Sequence, residues 1–268
     1  MTSNLMHPSE LAYAFSFTRA DRIIGWDQEY FLPEDNAATD TARWLTEGES
    51  RLHEADRLTG SPAAGLNFTD EMSSAVLALV DPSLVLLAER KEGEGVRRLS
   101  VHAAGADFIG LTRRPEGLFD LTRYADLTAA ASACAGFLGA ALAPLSHQVR
   151  IEASYETFAD LRQSAASGET DEVVTALTAL GASEPDAKSF AEALAQPASA
   201  GMLSVFYCAN NEVQDAEPFT VMTNADDQTW VLFPPASLDA PMILERSSVA
   251  AFTARVAVGV AARLSKPD

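Results

Sequence analysis

The apolar positions of this chain change their period twice, in the same order each time. Between Leu84 and Leu142, the strand-like runs SLVLLAER, RRLSVHAA, DFIGLT and GLFDLTRY give way to DLTAAASACAGFLGAAL, whose spacing is helical. Between Leu203 and Leu264 the order returns as MLSVFYCA, EPFTVMT, TWVLFPP and APMILER, followed by SVAAFTARVAVGVAARL. The interval from first strand to closing helix is similar in both, Leu84 to Leu127 and Leu203 to Val249. A sheet with a covering helix, given twice, predicts an α+β protein of two pseudo-symmetric repeats. Each repeat has helices followed by a mostly antiparallel four-stranded sheet and a closing helix. Antiparallel pairing follows from the short links, since parallel strands need long crossovers. The expected division is 1–145 for the first repeat with its N-terminal helical segment, 146–168 for a connecting segment and 169–268 for the second repeat.

Local signals fill in this outline. Leu11, Phe15 and Ile23 sit at helical spacing in Pro8–Ile24, with Ser9 as the expected cap, although Phe15 and Phe17 also admit a short strand. A helix over Thr39–Leu58 turns Trp44, Leu45, Leu52, Ala55 and Leu58 inward, and GSPAAG (Gly60–Gly65) breaks the chain. Thr69 opens a helix through Val80 that Asp81-Pro82 ends. In the second strand, Leu99, Val101 and Ala103 form the buried face, while Arg98, Ser100 and His102 form the wet one. Turns are expected at Lys91–Gly95, Gly105, Arg113–Gly117, NNEVQDAE and NADDQ. Pro144 closes the alanine-rich helix; Tyr155–Ala166, Asp171–Leu180 and Asp186–Leu194 are further helices. The last helix keeps Val249, Phe252, Val256 and Val260 on one face and Arg255 and Arg263 on another.

Charge narrows the partners. With 38 acidic and 19 basic residues the chain carries −19, which argues against nucleic acid and anionic membrane surfaces. A basic partner would suit it, but an acidic surface that serves only solubility explains it equally. The opening MTSNLMHPSELAYAF has neither a basic region nor a long apolar core, and no apolar run reaches membrane-spanning length, so a cytoplasmic protein is expected. Cys134 and Cys208 make no disulfide framework and read as buried, inert thiols. The charge also divides unevenly between the repeats. Leu84–Tyr124 holds Arg90, Lys91, Arg97, Arg98, Arg113, Arg114 and Arg123 against six acids, a net +1. Leu203–Arg246 holds seven acids against Arg246 alone, a net −6. Drift of solvated turns explains this, or a platform that meets a partner in one orientation. Arg97-Arg98 and Arg113-Arg114 lie close together if their strands pair, unless they simply bridge to Glu89 and Glu94.

Catalytic signatures are not apparent. His7, His53, His102 and His147 are far apart, with no carboxylate or cysteine at ligand spacing. His102 reads as a solvent-facing strand residue. There is no G-x-S-x-G elbow or phosphate-binding loop, and Gly93 and Gly95 form a G-x-G in a hairpin that leads into no helix. No cofactor is expected. With so many acids, chance carboxylate pairs such as Asp226-Asp227 and Glu34-Asp35 single out no acid–base couple. The loop Gly25–Asn36 carries Trp26, Tyr30 and Phe31, either tucked over the core or presented as a binding surface; the burial gain of large aromatics favours the core.

The segments DEMSSAVLALVDPSLVLLAER, VHAAGADFIGLTRRPEGLFDLTRYADLTAAASACAGFL and TWVLFPP…PMILERSSVAAFTARVAVGVAARL together resemble the EspG family of type VII secretion chaperones. The resemblance is one of pattern and length over roughly residues 10–264. It implies a cytoplasmic chaperone that binds the helical tip of a secreted substrate pair and keeps it soluble, with no catalytic residues to carry over. The expected function is therefore a non-enzymatic protein-binding module, a chaperone or adaptor, with a helical protein or a second copy of the chain as partner. Its candidate binding residues are Trp26, Tyr30, Phe31, Arg97, Arg98, Arg113 and Arg114, with an exposed apolar patch contributed by the Trp26 loop and by Arg113–Gly117 and Asn224–Thr229. The alternative is a small-molecule binder or enzyme whose site lies in the crevice between repeats and uses His102, Tyr207 and Arg246. A structural subunit with a flat apolar self-interface is the third reading.

Overall fold

In the computed structural model the described residues are 4–18, 22–33, 38–61, 65–235, 237 and 240–264. The elements run β1 (Asn4–Met6), α1 (Pro8–Ser16), a 3₁₀ turn (Gln28–Phe31), α2 (Ala38–Glu54), β2 (Leu58–Ser61), β3 (Gly65–Phe68) and α3 (Asp70–Val80). Then come β4 (Leu84–Glu92), β5 (Gly95–Ala104), β6 (Asp107–Arg113), β7 (Phe119–Tyr124), α4 (Leu127–Phe137), β8 (Arg150–Ala153), α5 (Tyr155–Ala166), α6 (Thr170–Ala179) and α7 (Glu184–Ala195). The chain closes with β9 (Ser199–Ala209), β10 (Glu212–Thr223), β11 (Thr229–Phe233), β12 (Met242–Ser247) and α8 (Val249–Leu264). The fold is α+β with a large antiparallel sheet, in the order β1-β7-β6-β5-β4-β9-β10-β11-β12-β8, and a separate β2-β3 hairpin. Part of the expected GSPAAG break, residues 62–64, and part of the aromatic loop, residues 34–36, lie outside the described residues, as do 19–21 of the first expected helix.

The chain folds into two compact units: Met1–Leu87 with Arg98–Ala130 and Phe206–Ala216, and Ala88–Arg97 with Ala131–Val205 and Glu217–Asp268. In the first unit, β1 pairs with β7 (Leu5 opposite Asp120), β7 with β6 (Gly110 opposite Thr122) and β6 with β5 (Leu99 opposite Thr112). Leu11, Leu52, Leu79, Ile109, Leu111 and Phe119 are fully buried among them. The cap of α1 lies two residues earlier than expected: it is His7, not Ser9. The His7 ring accepts from the Ser9 amide, and the Glu10 carboxylate accepts from the His7 amide at 2.6 Å, so two otherwise orphaned donors are satisfied. The helix ends at Ser16, and Ile23 instead forms a bridge to Trp26. Gly48 on α2 permits the close approach to α1, because a Cβ there would stand 2.0 Å from the Ser9 carbonyl oxygen.

The expected wet face of β5 is not wet. Ser100 and His102 are each 0% exposed, as buried as Val101 on the other face. The reason is the core on that side: Ser100 and His102 stand opposite Leu111 and Ile109, which are buried with residues of α1 and α3, and the aromatic loop joins them there, the Trp26 indole N–H donating to Ser100 Oγ at 2.7 Å. Ser100 Oγ in turn lies 2.9 Å from His102 Nε2, while His102 Nδ1 meets no partner among the described residues. Complete burial makes the imidazolium form costly and lowers the His102 pKa to about 3.

The second unit packs α5, α6 and α7 against β8, β11 and β12, with Trp230, Phe190, Val173, Leu177 and Leu244 buried. The Trp230 and Phe190 rings meet edge to face at 5.6 Å, and the Trp230 indole N–H donates to Ser189 Oγ at 3.0 Å. Ser154 caps α5 over the expected residues. Asp186, in the first turn of α7, accepts from Ser183 Oγ at 2.5 Å and faces His147 Nε2 at 3.1 Å and Arg246 at 3.4 Å. Burial opposes its charge, but these partners outweigh it and hold the carboxyl below its ordinary pKa.

Three further expectations are corrected. The helix α4 stops at Phe137, well before Pro144, and Gly139 turns the chain at a φ of +79°. NNEVQDAE is not a long turn: Asn210 and Asn211 alone occupy the left-handed region (φ 52° and 57°), and β10 begins at Glu212. Cys134 is fully buried, but Cys208 is only half-buried; burial raises their thiol pKa values to about 12 and about 11. A strand not expected from the sequence, β8, lies inside the connecting segment. It pairs with β12 through Ile151 opposite Leu244.

Two outcomes are expected. A histidine with a depressed folded pKa stabilises fully above its unfolded value of about 6.5 and loses that contribution as pH falls toward about 3. His102→Leu is therefore expected to remove up to about 1.4 kcal/mol per pH unit from the slope of unfolding free energy between pH 6.5 and 4.5. Denaturant titrations showing parallel slopes for both proteins would contradict this. At the β9–β10 turn, Asn210→Val is expected to cost roughly 1–2 kcal/mol and Asn210→Gly almost nothing, since β-branched residues resist positive φ.

Candidate functional site

The site begins with how the aromatic loop is held. Gly25 turns the chain at a φ of +88°, a conformation that favours glycine. The turn points Trp26 and Phe31 inward, 7% and 5% exposed, and leaves Tyr30 half-buried. Phe119 of β7 receives both inward rings, Trp26 edge-on at 5.3 Å and Phe31 stacked at 5.0 Å. Phe15 of α1 meets Phe31 edge to face at 5.5 Å. The Trp44 indole on α2 donates to the Phe31 carbonyl at 2.9 Å and ties the far end of the loop to that helix.

Two concavities open beside this loop, and Leu32 and Trp44 line both. One, of about 280 Å³, is walled mainly by apolar groups, among them Ala12, Phe15, Phe31, Leu45 and Val80. The other, of about 600 Å³, is wetter and is bounded by His7, Glu29, Tyr30, Arg113 and Glu116. The Arg113 guanidinium lies over the Tyr30 ring, 5.0 Å from its centroid. Burial and the nearby Arg51 lower the pKa of His7, against the pull of Glu47 and Glu10.

The seven candidate residues therefore separate. Tyr30 and Arg113 come together on the wetter concavity, with Arg114 one residue further along, bonded to Asp120 at 2.8 Å. Trp26 and Phe31 support the site from the core, so the loop does not present them as an exposed apolar patch. Arg98 pairs with Asp27 at 3.1 Å. Arg97 belongs to the second unit, where it pairs with Glu92 at 3.4 Å and lies over Phe137. Asp27, Glu92 and Asp120 are thus ion-pair partners of these arginines that the sequence did not suggest. Of the alternative set, His102 and Tyr207 are buried in the first unit, and Arg246 is engaged with Asp186 in the second. Glu29, Leu32 and Trp44 join the site with no sequence signal of their own. Amphipathic spacing places Trp44 on an inward face, and only the tertiary approach of α2 to the loop reveals its second role. No group of three His, Cys, Asp or Glu side chains fit to hold a metal is present among the described residues. No helix among them is long and apolar enough to cross a membrane.

No protein-family model matches the sequence, and no curated protein matches it. The fold does have a solved counterpart among the chaperones of type VII secretion. The Mycobacterium tuberculosis chaperone EspG5, solved in complex with a PE25–PPE41 dimer, is similar over 96% of this chain and 95% of that chain, with a TM-score of 0.66 and 12% identity. At that identity the likeness is one of fold.

Core support and surface contact carry different energetic signatures. Trp26→Ala is expected to cost about 3–5 kcal/mol of stability, whereas Arg113→Ala costs under about 1 kcal/mol. Urea unfolding of both variants checks this; equal losses would contradict the division between supporting and lining residues.

Proposed function

We propose that the protein is a non-enzymatic chaperone or adaptor that works in the cytoplasm and holds a secreted or assembly partner, helical where the two meet. The observation that carries this is the match of fold over nearly the whole chain to a chaperone solved with a protein dimer bound. The strong net negative charge supports a protein partner over nucleic acid or an anionic membrane. The candidate binding face is the rim of the aromatic loop, with Tyr30 and Arg113 in contact with the partner, Arg114 and Arg98 as flanking charges, and Trp26 and Phe31 holding the loop in place. No catalytic residue or cofactor is part of this reading.

The duplication belongs to the same proposal. The order helix, four strands, helix occurs as α3-β4-β5-β6-β7-α4 and again as α7-β9-β10-β11-β12-α8. That order supports a repeated ancestral unit with boundaries at 1–145 and 169–268, joined by 146–168.

Affinity capture of the full-length protein from its native lysate, at low and moderate salt, tests the function. The expected result is stoichiometric recovery of one protein or protein pair, in a complex that survives gel filtration. Recovery of the protein alone, at the mass of a monomer, would overturn the reading; recovery at the mass of a dimer would favour self-association instead.

A further inference from the structure

Leu32 and Trp44 form a shared wall between an apolar concavity of about 280 Å³ and a wetter one of about 600 Å³. The two are neighbouring compartments of one groove in the first unit. The apolar compartment has the capacity for one or two large side chains, as interface anchors require; Phe15, Phe31 and Leu45 give it apolar walls, and Arg22, Gln28 and Thr41 are among the polar residues that also line it. The wetter compartment differs in charge. Its one arginine, Arg113, is committed to the face of Tyr30. Glu116 is met by Arg114 only at 3.9 Å, the outer limit of an ion pair. Glu29 makes no side-chain ion pair among the described residues and stands exposed. Two carboxylates thus stand beside the Tyr30–Arg113 pair, two negative charges against its one positive, in a protein whose overall field also attracts cations.

We infer that this groove binds a peptide segment in which a large apolar side chain is followed, within a few residues, by lysine or arginine. The apolar side chain enters beside Phe15 and Leu45, and the cation settles between Glu29 and Glu116, beside the Tyr30–Arg113 pair and not on the ring face that Arg113 covers. The inference rests on the chaperone reading for its biological setting, since it names the chemistry by which a protein partner is recognised. Its geometry stands on the groove alone.

The test uses the full-length protein and three fluorescein-labelled decapeptides that differ at two positions: Phe with Arg, Ala with Arg, and Phe with Glu. Fluorescence anisotropy is expected to show saturable binding of the Phe–Arg peptide that weakens with salt, with at least tenfold weaker binding of the other two. Glu29→Lys combined with Glu116→Lys is expected to weaken the Phe–Arg peptide roughly tenfold, as two exposed attractions become repulsions, and to relieve the rejection of the Phe–Glu peptide. Thr41→Trp, which fills the apolar compartment from an exposed position on α2, is expected to abolish discrimination between Phe and Ala. Circular dichroism and a cooperative urea transition confirm that each variant is folded. Absence of binding, equal binding of all three peptides, or indifference to the charge reversal would overturn the inference. Capture of a protein partner that the double charge reversal leaves undiminished would overturn the inference and leave the chaperone reading standing. Peptide binding with no partner captured would do the reverse.

Discussion

The hydrogen bond from the Trp26 indole to the buried Ser100 hydroxyl is the constraint on which the first unit's surface depends. An indole N–H buried without an acceptor is costly, and so is a strand hydroxyl sealed from water. Each removes the other's penalty. The contact ties the loop to β5, where Trp26 and Phe31 meet Phe119 and Tyr30 packs half-buried on Trp26. His102 is drawn into the same enclosure and is held neutral there. The second unit repeats the device with different elements: the Trp230 indole donates to Ser189 from α7, and Phe190 supplies the edge-to-face partner. In both units one large aromatic carries the apolar burial, and one serine orients it.

In the proposed function, the same loop is what lets an acidic protein present a selective surface. Most basic side chains of the first sheet segment are paired within the chain, as Arg98 with Asp27, Arg114 with Asp120 and Arg123 with Asp107. Exposed pairs of this kind contribute little stability, but they remove positive charge from the local field. What remains at the groove is the Tyr30–Arg113 pair with Glu29 and Glu116 beside it. Negative charge spread over a surface speeds encounter with a cationic partner, whereas a shaped apolar compartment decides which partner stays.

Much of the fold was legible because its signals are local. Helix α3 with its Thr69 cap, α5 over Tyr155–Ala166, and the strands β4 to β7 with their glycine turns follow from periodicity and turn chemistry alone. The errors share a different cause. His102 alternates in sequence as a solvent-facing residue must, and only tertiary packing reverses that assignment: it stands opposite Ile109, on the face buried with α1, α3 and the aromatic loop. The short strand β8 has only two inward residues, Ile151 and Ala153, too few to register against a connecting segment. The site was half legible for the same reason. Aromatic enrichment marked the loop, but which rings face inward depends on Phe119, and the role of Trp44 depends on the approach of a separate helix. Paired arginines drew attention by their number, although Arg97 and Arg98 are spent on partners within the chain.

Hydrogen exchange on the isolated protein, and on its complex with a captured partner, decides whether a rigid aromatic loop forms the rim of a partner-binding groove. Slow exchange is expected in the isolated protein at the bonded amides of Trp26, Tyr30 and Leu32. In the complex, new protection is expected to concentrate at Thr41–Leu45 and Arg113–Leu118. Fast exchange throughout the loop, or new protection confined to the helices of the second unit, would contradict that role for the loop.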